Sequence, residues 1–170
     1  GSPSKVTGLI YSGFMPSDDA DVLGFSIPAN VFVGVQLHRL ARLARRQWGD
    51  EALAARAEGL FEGIRAAIPT HAVRNGTYCF EVDGLGGCTR GDDANLPSLL
   101  GLPLVDPERL LHDEATYDAT RRDILSRANP NYYCPRPHSD GCPDGRRCDR
   151  WCGVGSRHTP GERVWPMSTI

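Results

Sequence analysis

Tyr11-Ser12-Gly13-Phe14-Met15-Pro16-Ser17-Asp18-Asp19-Ala20, continued by Gly24-Phe25-Ser26-Ile27-Pro28-Ala29-Asn30, is the stretch from which the rest of the chain is read. Two adjacent carboxylates sit among small, turn-forming residues and two prolines, and the connection runs into a strongly apolar helical pattern. Such a connection is stiff. Stiffness suits a proton donor, whose proton has to lie within hydrogen-bond reach of one substrate oxygen. The same residues have a plainer role open to them. Ser17, Asp18 and Asp19 all suit a helix cap, where their oxygens accept orphan backbone N–H groups and their charge complements the dipole.

Downstream, Phe32, Val35, Leu40, Leu43 and Trp48 fall near helical spacing, with Arg39, Arg42, Arg45 and Arg46 between them. This predicts an amphipathic helix over 31–48 with a solvated basic face. Gly49-Asp50 ends it and starts a second helix, because Asp50 is a good N-cap and Glu51 suits a first turn. Leu53, Ala57, Leu60, Phe61, Ile64 and Ile68 form the second stripe, and Pro69 is expected to stop it. Two long helices joined by so short a turn lie antiparallel. Residues 77–82 then alternate like a strand, and Asp83-Gly84 with Gly86-Gly87 reads as a tight turn. Asp92-Asp93-Ala94-Asn95-Leu96-Pro97 is an acidic loop leading to a short apolar helix. A third helix is expected from about Asp113 to Arg127, before Asn129-Pro130. Residues 131–163 show no period and need staples of their own. A further helix is expected to begin at Val164-Trp165-Pro166.

With 170 residues, 40% apolar and 24% charged, the chain has the composition of one ordinary globular domain. Its net charge of −2 says nothing about partners, and no basic stripe or aromatic-basic interleaving suggests nucleic acid. No run of about 18 apolar residues marks a membrane span. The opening Gly1-Ser2-Pro3-Ser4-Lys5 lacks the apolar centre of a signal peptide, so a secretion signal would lie upstream. Cys79, Cys88, Cys134, Cys142, Cys148 and Cys152 are an even set of disulfide candidates, four of them in one loop. Asn75-Gly76-Thr77 is a glycosylation sequon. Together they point to the secretory pathway or the extracellular space. The alternative is a cytoplasmic protein whose cysteine loop, with His138, holds zinc. The C-x7-C-x5-C-x3-C spacing lacks the paired knuckles of common zinc sites and favours two local disulfides, whose pairing the spacing does not specify. Calcium would need a spaced D-x-D-x-D-G pattern that the acidic loop does not have.

Several blocks of the chain, in order, resemble glycoside hydrolase family 125, the metal-independent exo-acting α-1,6-mannosidases. Residues 12–19 are similar to that family's S-G/A-F-R-P-S-D-D. Ile27-Pro28-Ala29-Asn30-Val31-Phe32 is similar to I-P-S-N-M-F, and Phe80-Glu81-Val82-Asp83-Gly84-Leu85-Gly86 to F-E-V-D-G-L-G. Residues 92–100 resemble D-D-P-N-V-P-S-L-L, and 119–122 resemble A-T-R-R. Gly153-Val154-Gly155-Ser156-Arg157-His158-Thr159 with Trp165-Pro166 resembles G-L-G-S-x-H-T…W-P.

The resemblance implies a mainly α fold, an (α/α)6 barrel. A complete barrel of twelve helices of roughly 12 residues with connections of about 6 needs about 220 residues. Residues 1–170 are therefore expected to be part of a single catalytic domain, incomplete at both ends: an arc of helix hairpins with a small β-hairpin and a cysteine-rich loop. Much of the arc's apolar surface would lack a partner. The family's W-L-R-D-S and H-E-S-F stretches have no counterpart here, and the second of these carries the other catalytic carboxylate.

The implied reaction is an inverting hydrolysis of a terminal α-1,6-linked mannose, with no cofactor and no metal. One carboxylic acid protonates the leaving oxygen while a second carboxylate, roughly 6.5–9.5 Å away, activates water on the opposite face. Adjacent Asp18 and Asp19 cannot be that pair. Asp18 matches the family's acid and Asp19 is the fallback. A helix N-terminus at Asp18 would hold its proton less tightly, contrary to what an acid needs, unless burial or the Asp19 charge offsets it. Glu81, Asp83, Asp92, Asp93, Asn95, Ser156 and His158 are candidate contacts to mannose hydroxyls, each with a turn or capping role as the alternative. Trp165, Tyr132 and Tyr133 suit either sugar stacking or core. Met15 stands where the family usually has arginine. The expected partners are α-mannoside-containing glycans and the remainder of the parent chain, and the isolated chain is expected to be inactive. A non-catalytic carbohydrate-binding remnant is the alternative, and a zinc-stabilised interaction protein a third.

Overall fold

The Gly49-Asp50 turn sets the architecture. In the computed structural model, which describes residues 2–134, 152–158 and 164, helix α1 spans Ile27–Leu43 and passes into a π-helical turn, Ala44–Trp48. Gly49, at φ 63°, ends that turn in the left-handed region that favours glycine. The Asp50 side chain accepts the Leu53 N–H at 2.9 Å and opens α2, Glu51–His71. Gly34 faces Ile64, the His38 and Phe61 rings lie 4.9 Å apart, and Arg45 pairs with Glu51 and Glu58, so the two helices run antiparallel. Gly34 also makes room for Leu111, since an added Cβ would stand 2.5 Å from Leu111 Cδ1.

Three details differ from the sequence reading. Helix α1 starts earlier than residue 31, because extended Ser26 caps it and Pro28 lies in the first turn, where its missing N–H is no loss. Pro69 does not stop α2, which continues to His71. The carbonyl that proline leaves unpaired, on Arg65, belongs to an exposed residue that solvent can satisfy. The buried stripe of α1 is Ile27, Val31, Val35 and Ala41, whereas Phe32 (44% exposed) and Leu43 point outward with Trp48 of the π turn and Leu60 of α2.

Strand β1 (Phe25–Ser26) pairs with β4 (Glu81–Val82), which pairs with β5 (Cys88–Thr89), all antiparallel, with Ser26 opposite Glu81 and Glu81 opposite Thr89. Strands β2 (Val73–Arg74) and β3 (Thr77–Tyr78) form a separate hairpin whose turn, Asn75-Gly76, has both φ angles positive. The continuous strand expected over 77–82 is thus two strands of different sheets. Between them, Cys79 N–H bonds to Ala72 O and Phe80 N–H to Thr89 O. The Cys79–Cys88 disulfide joins this crossing to β5, and closing so short a loop is worth about 2–3 kcal/mol.

After a short α3 (Leu102–Val105), Asp106 accepts the N–H groups of Leu110, Leu111 and His112 and meets His112 Nδ1 at 2.8 Å. Both side chains are buried. Burial pushes the Asp106 carboxyl up, but the His112 ring and the three backbone donors together carry it below the ordinary carboxylate range. Helix α4 (Glu114–Ile124) is capped by Asp113 and ends short of the expected Arg127. It docks on β3 through Thr120 Oγ1, which accepts the Tyr78 N–H at 2.8 Å. Strand β6 (Tyr132–Tyr133) pairs with β7 (Gly153–Val154), and Cys134–Cys152 closes the long loop beside them. Tyr132 packs against the core, which centres on Ile27, Val31, Ile64, Ile68, Leu99 and Leu102. Cys142, Cys148, His138 and the helix expected at Trp165-Pro166 lie outside the described residues.

Candidate functional site

The aspartate stretch is a closed loop in front of β1. Phe14 bridges Ala20, Met15 N–H bonds to Asp19 O at 2.8 Å, and Asp18 N–H returns to Met15 O at 3.0 Å. This tight return places Asp18 at φ 69°, a left-handed backbone that aspartate tolerates better than most residues. No helix begins here, since α1 starts only at Ile27 after an intervening strand. Helix capping is therefore not what Ser17, Asp18 and Asp19 do, and the conflict between a helix dipole and a proton-holding acid does not arise. Asp18 is exposed at the tip of the loop, whereas Asp19 accepts Ser17 Oγ at 3.0 Å. The Met15 side chain is 3% exposed and turned into the core.

One distant segment meets this loop, and a second lies beside that segment. Ala94 N–H bonds to Gly155 O and Gly155 N–H to Asn131 O, which lays 155–158 beside the acidic loop. There Ser156 Oγ donates to Asp93 Oδ2 at 2.8 Å, Asn95 Nδ2 donates to Asp93 Oδ1 at 2.6 Å, and Arg157 N–H points at Asp93 Oδ2. Ser156 Oγ also accepts the His158 N–H, which fixes the turn that carries the imidazole. His158 Nδ1 then stands 3.7 Å from Asp19 Oδ1, a contact that becomes an ion pair when the ring is protonated.

Behind the loop, Glu81 is fully enclosed (0% exposed), and its carboxylate accepts Val22 N–H, Leu23 N–H and Thr89 Oγ. Burial pushes its pKa up, the two backbone donors oppose the rise, nearby Asp21 adds to it and Arg157 subtracts. Asp21 is also raised, chiefly by burial, against a hydrogen bond from Ser12 and the Arg157 guanidinium.

Asp19, His158, Ser156, Asp93 and Asn95 are thus linked by successive contacts, with Asp18 next to Asp19 in the loop. Asp83 and Asp92 are not part of this group. Asp83 Oδ1 accepts Leu85 and Gly87 N–H in its own turn, which holds its carboxyl below the usual range. Asp92 is 2% exposed and caps Leu99 and Leu100, and burial pushes it up to about 7 against those two N–H groups. These bonds are the turn and cap roles that the sequence left open for the two residues. Asp21, Ser12 and Arg157 were missed. Asp21 lies two residues past Asp19 in the same loop, and that i, i+2 carboxylate spacing was a signal available in the sequence.

Comparison with known proteins identifies the family. The family model described as metal-independent alpha-mannosidase (GH125) matches residues 1–170. The chain is 37% identical over 169 residues to the meiotically up-regulated gene 157 protein of Schizosaccharomyces pombe, covering 95% of this chain and 30% of that protein. It superposes with a TM-score of 0.82 at 33% identity on a metal-independent α mannosidase from Streptococcus pneumoniae, solved as a non-productive substrate complex with α-1,6-mannobiose. That match covers 99% of this chain and 38% of the other, so the chain spans about a third of the length of these relatives. With the family model matched over residues 1–170, the chain belongs to glycoside hydrolase family 125, the metal-independent α-mannosidases.

Proposed function

We propose that this chain supplies the proton-donating side of a site that removes a terminal α-1,6-linked mannose from glycans with inversion. The observation that carries the reading is the meeting of the Asp18-Asp19 loop with Ser156 and His158 beside Asp93 and Asn95. Asp18, exposed and strained at the loop tip, is the donor to the leaving oxygen. Asp19 is anchored by Ser17 and His158 and keeps the loop in place. Asp93, Asn95 and the exposed His158 offer acceptors and donors to mannose hydroxyls. The relative's complex with α-1,6-mannobiose supports this choice of linkage.

Residues 1–170 then form part of one catalytic domain. The α1–α2 hairpin is one arc of an (α/α)6 ring, whose other arcs would cover Phe32, Leu43, Trp48 and Leu60. The water-activating carboxylate has to face Asp18 across the sugar, roughly 6.5–9.5 Å away, and comes from the longer protein. Calorimetric titration of the chain with α-1,6-mannobiose is expected to give saturable heat at millimolar sugar without turnover. No heat would remove the sugar reading, and rapid turnover by these residues alone would remove the divided site.

The two disulfides and the exposed sequon favour a secretory compartment. Asn75 sits at the tip of the β2–β3 hairpin, accessible to a glycosyl carrier, while Thr77 Oγ bonds to Arg74 O. Expression in a secreting eukaryotic host is expected to yield a glycan removable by peptide N-glycosidase and abolished by Asn75→Gln. A secreted chain with bare Asn75 would count against the site.

A further inference from the structure

A carboxylate enclosed in protein is stable only when donors meet its oxygens, and those donors are then held in turn. Glu81 meets that condition in a lopsided way. Its own backbone is fixed between two strands: Ser26 lies opposite on β1 and Thr89 opposite on β5, and Cys79–Cys88 links the residues flanking this pairing. Its N–H bonds to Thr89 Oγ at 3.0 Å, and the same hydroxyl donates to Oε2 at 3.3 Å. The side chain then reaches out of this rigid frame to two successive amides of the aspartate loop, Val22 N–H at 3.3 Å on Oε1 and Leu23 N–H at 3.1 Å on Oε2.

Elsewhere the loop is held by the Met15 side chain, which is packed into the core, and by the Asp19–His158 contact, neither of which bonds a backbone group of the loop. It carries no helix or strand of its own, and its internal bonds are the Phe14–Ala20 bridge, the Met15–Asp19 pair, and the contacts Asp21 N–H to Gly13 O and Ser12 N–H to Gly24 O. All of these tie the loop to itself or to its own stem. Glu81 ties it to the sheet.

We infer that Glu81 is a positioning residue, whose carboxylate fixes the loop bearing Asp18 and Asp19 against the sheet rather than touching sugar. The role of Asp18 rests on the function proposed above, whereas the hold on the loop does not. An amide cannot replace the carboxylate, because it has one acceptor oxygen and would aim N–H at the other backbone N–H. The charged groups facing Glu81 are Asp21 and Arg157, and neither accepts from the Val22 and Leu23 N–H groups.

Amide hydrogen exchange on the full chain tests this. Glu81→Gln is expected to speed exchange at Val22, Leu23 and Met15 by about tenfold, while Ile27 and Phe80, bonded within the sheet, stay within about twofold. Unchanged exchange at the three loop amides overturns the inference, and so does equal acceleration at Ile27 and Phe80, which would make Glu81 a general support. If Glu81→Gln does not fold, Thr89→Val replaces it. That variant removes one donor to Oε2, and about two- to fivefold faster exchange at Leu23 is expected; no change overturns the inference. Titration with α-1,6-mannobiose separates the two readings. Binding by wild type that weakens about tenfold in Glu81→Gln supports positioning, and equal binding overturns it. Failure of wild type to bind removes the sugar reading, and the exchange result then still decides whether Glu81 holds the loop.

Discussion

Asp18→Asn, in the longest natural form of the protein, is expected to lower the rate of α-1,6-mannobiose hydrolysis by about 10²–10⁴-fold, the range that general-acid catalysis supplies. KM should change by less than about threefold, because Asp18 holds no other group in place and its loss acts on the transition state. The decisive comparison uses leaving groups. A dinitrophenyl α-mannoside departs without protonation, so Asp18→Asn should keep most of its activity on that substrate while losing it on mannobiose. Asp19→Asn should instead raise KM, because its carboxylate joins Ser17 and His158 and so orders the loop. If Asp19→Asn were the variant whose activity depends on the leaving group, the donor would be Asp19.

The largest expected loss of stability follows Asp106→Ala, at about 3–5 kcal/mol by denaturant unfolding. The substitution leaves three backbone N–H groups and the His112 ring unpaired in a site that is 0% exposed. The pH dependence has a definite sign. Asp106 is held below its ordinary value, so its contribution is present above about pH 3.9 and is lost as pH falls through the folded pKa. Asp92 is pushed the other way, up to about 7. Its neutral form is favoured by the fold, so its contribution is full below about pH 3.9 and is lost as pH rises toward 7. Wild type is therefore expected to lose stability on both sides of a weakly acidic optimum. Asp92→Asn should flatten the loss between pH 5 and about 7, and Asp106→Ala the loss at the acid end. An unchanged profile in either variant would contradict the assigned cause.

What the sequence made legible was what neighbouring residues decide among themselves. Gly49-Asp50 declares its turn because a left-handed glycine and a capping carboxylate need only the next few residues. The Asp113 cap and the Asp83 turn are of the same kind. The motif blocks were legible as a family pattern, and the family model matches residues 1–170. Partner choice was not legible. Whether 77–82 is one strand or two depends on Ala72 and Thr89 coming to Cys79 and Phe80 from other parts of the chain. Pro69 reads locally as a stop, yet packing of Ile64 and Ile68 on the core carries α2 past it. The burial of Glu81 was not legible either, because its motif says nothing of the loop whose Val22 and Leu23 amides it meets.

The contact between His158 and Asp19 joins the two ends of the described chain. Loop closure over such a span is slow compared with forming the α1–α2 hairpin, whose pairs are local. During synthesis the helices and the Cys79–Cys88 crosslink can therefore mature while the acid loop still waits for its histidine. The anchored form of the Asp19 loop would then appear late on the ribosome, only after the Ser156-His158 turn has emerged and swung back.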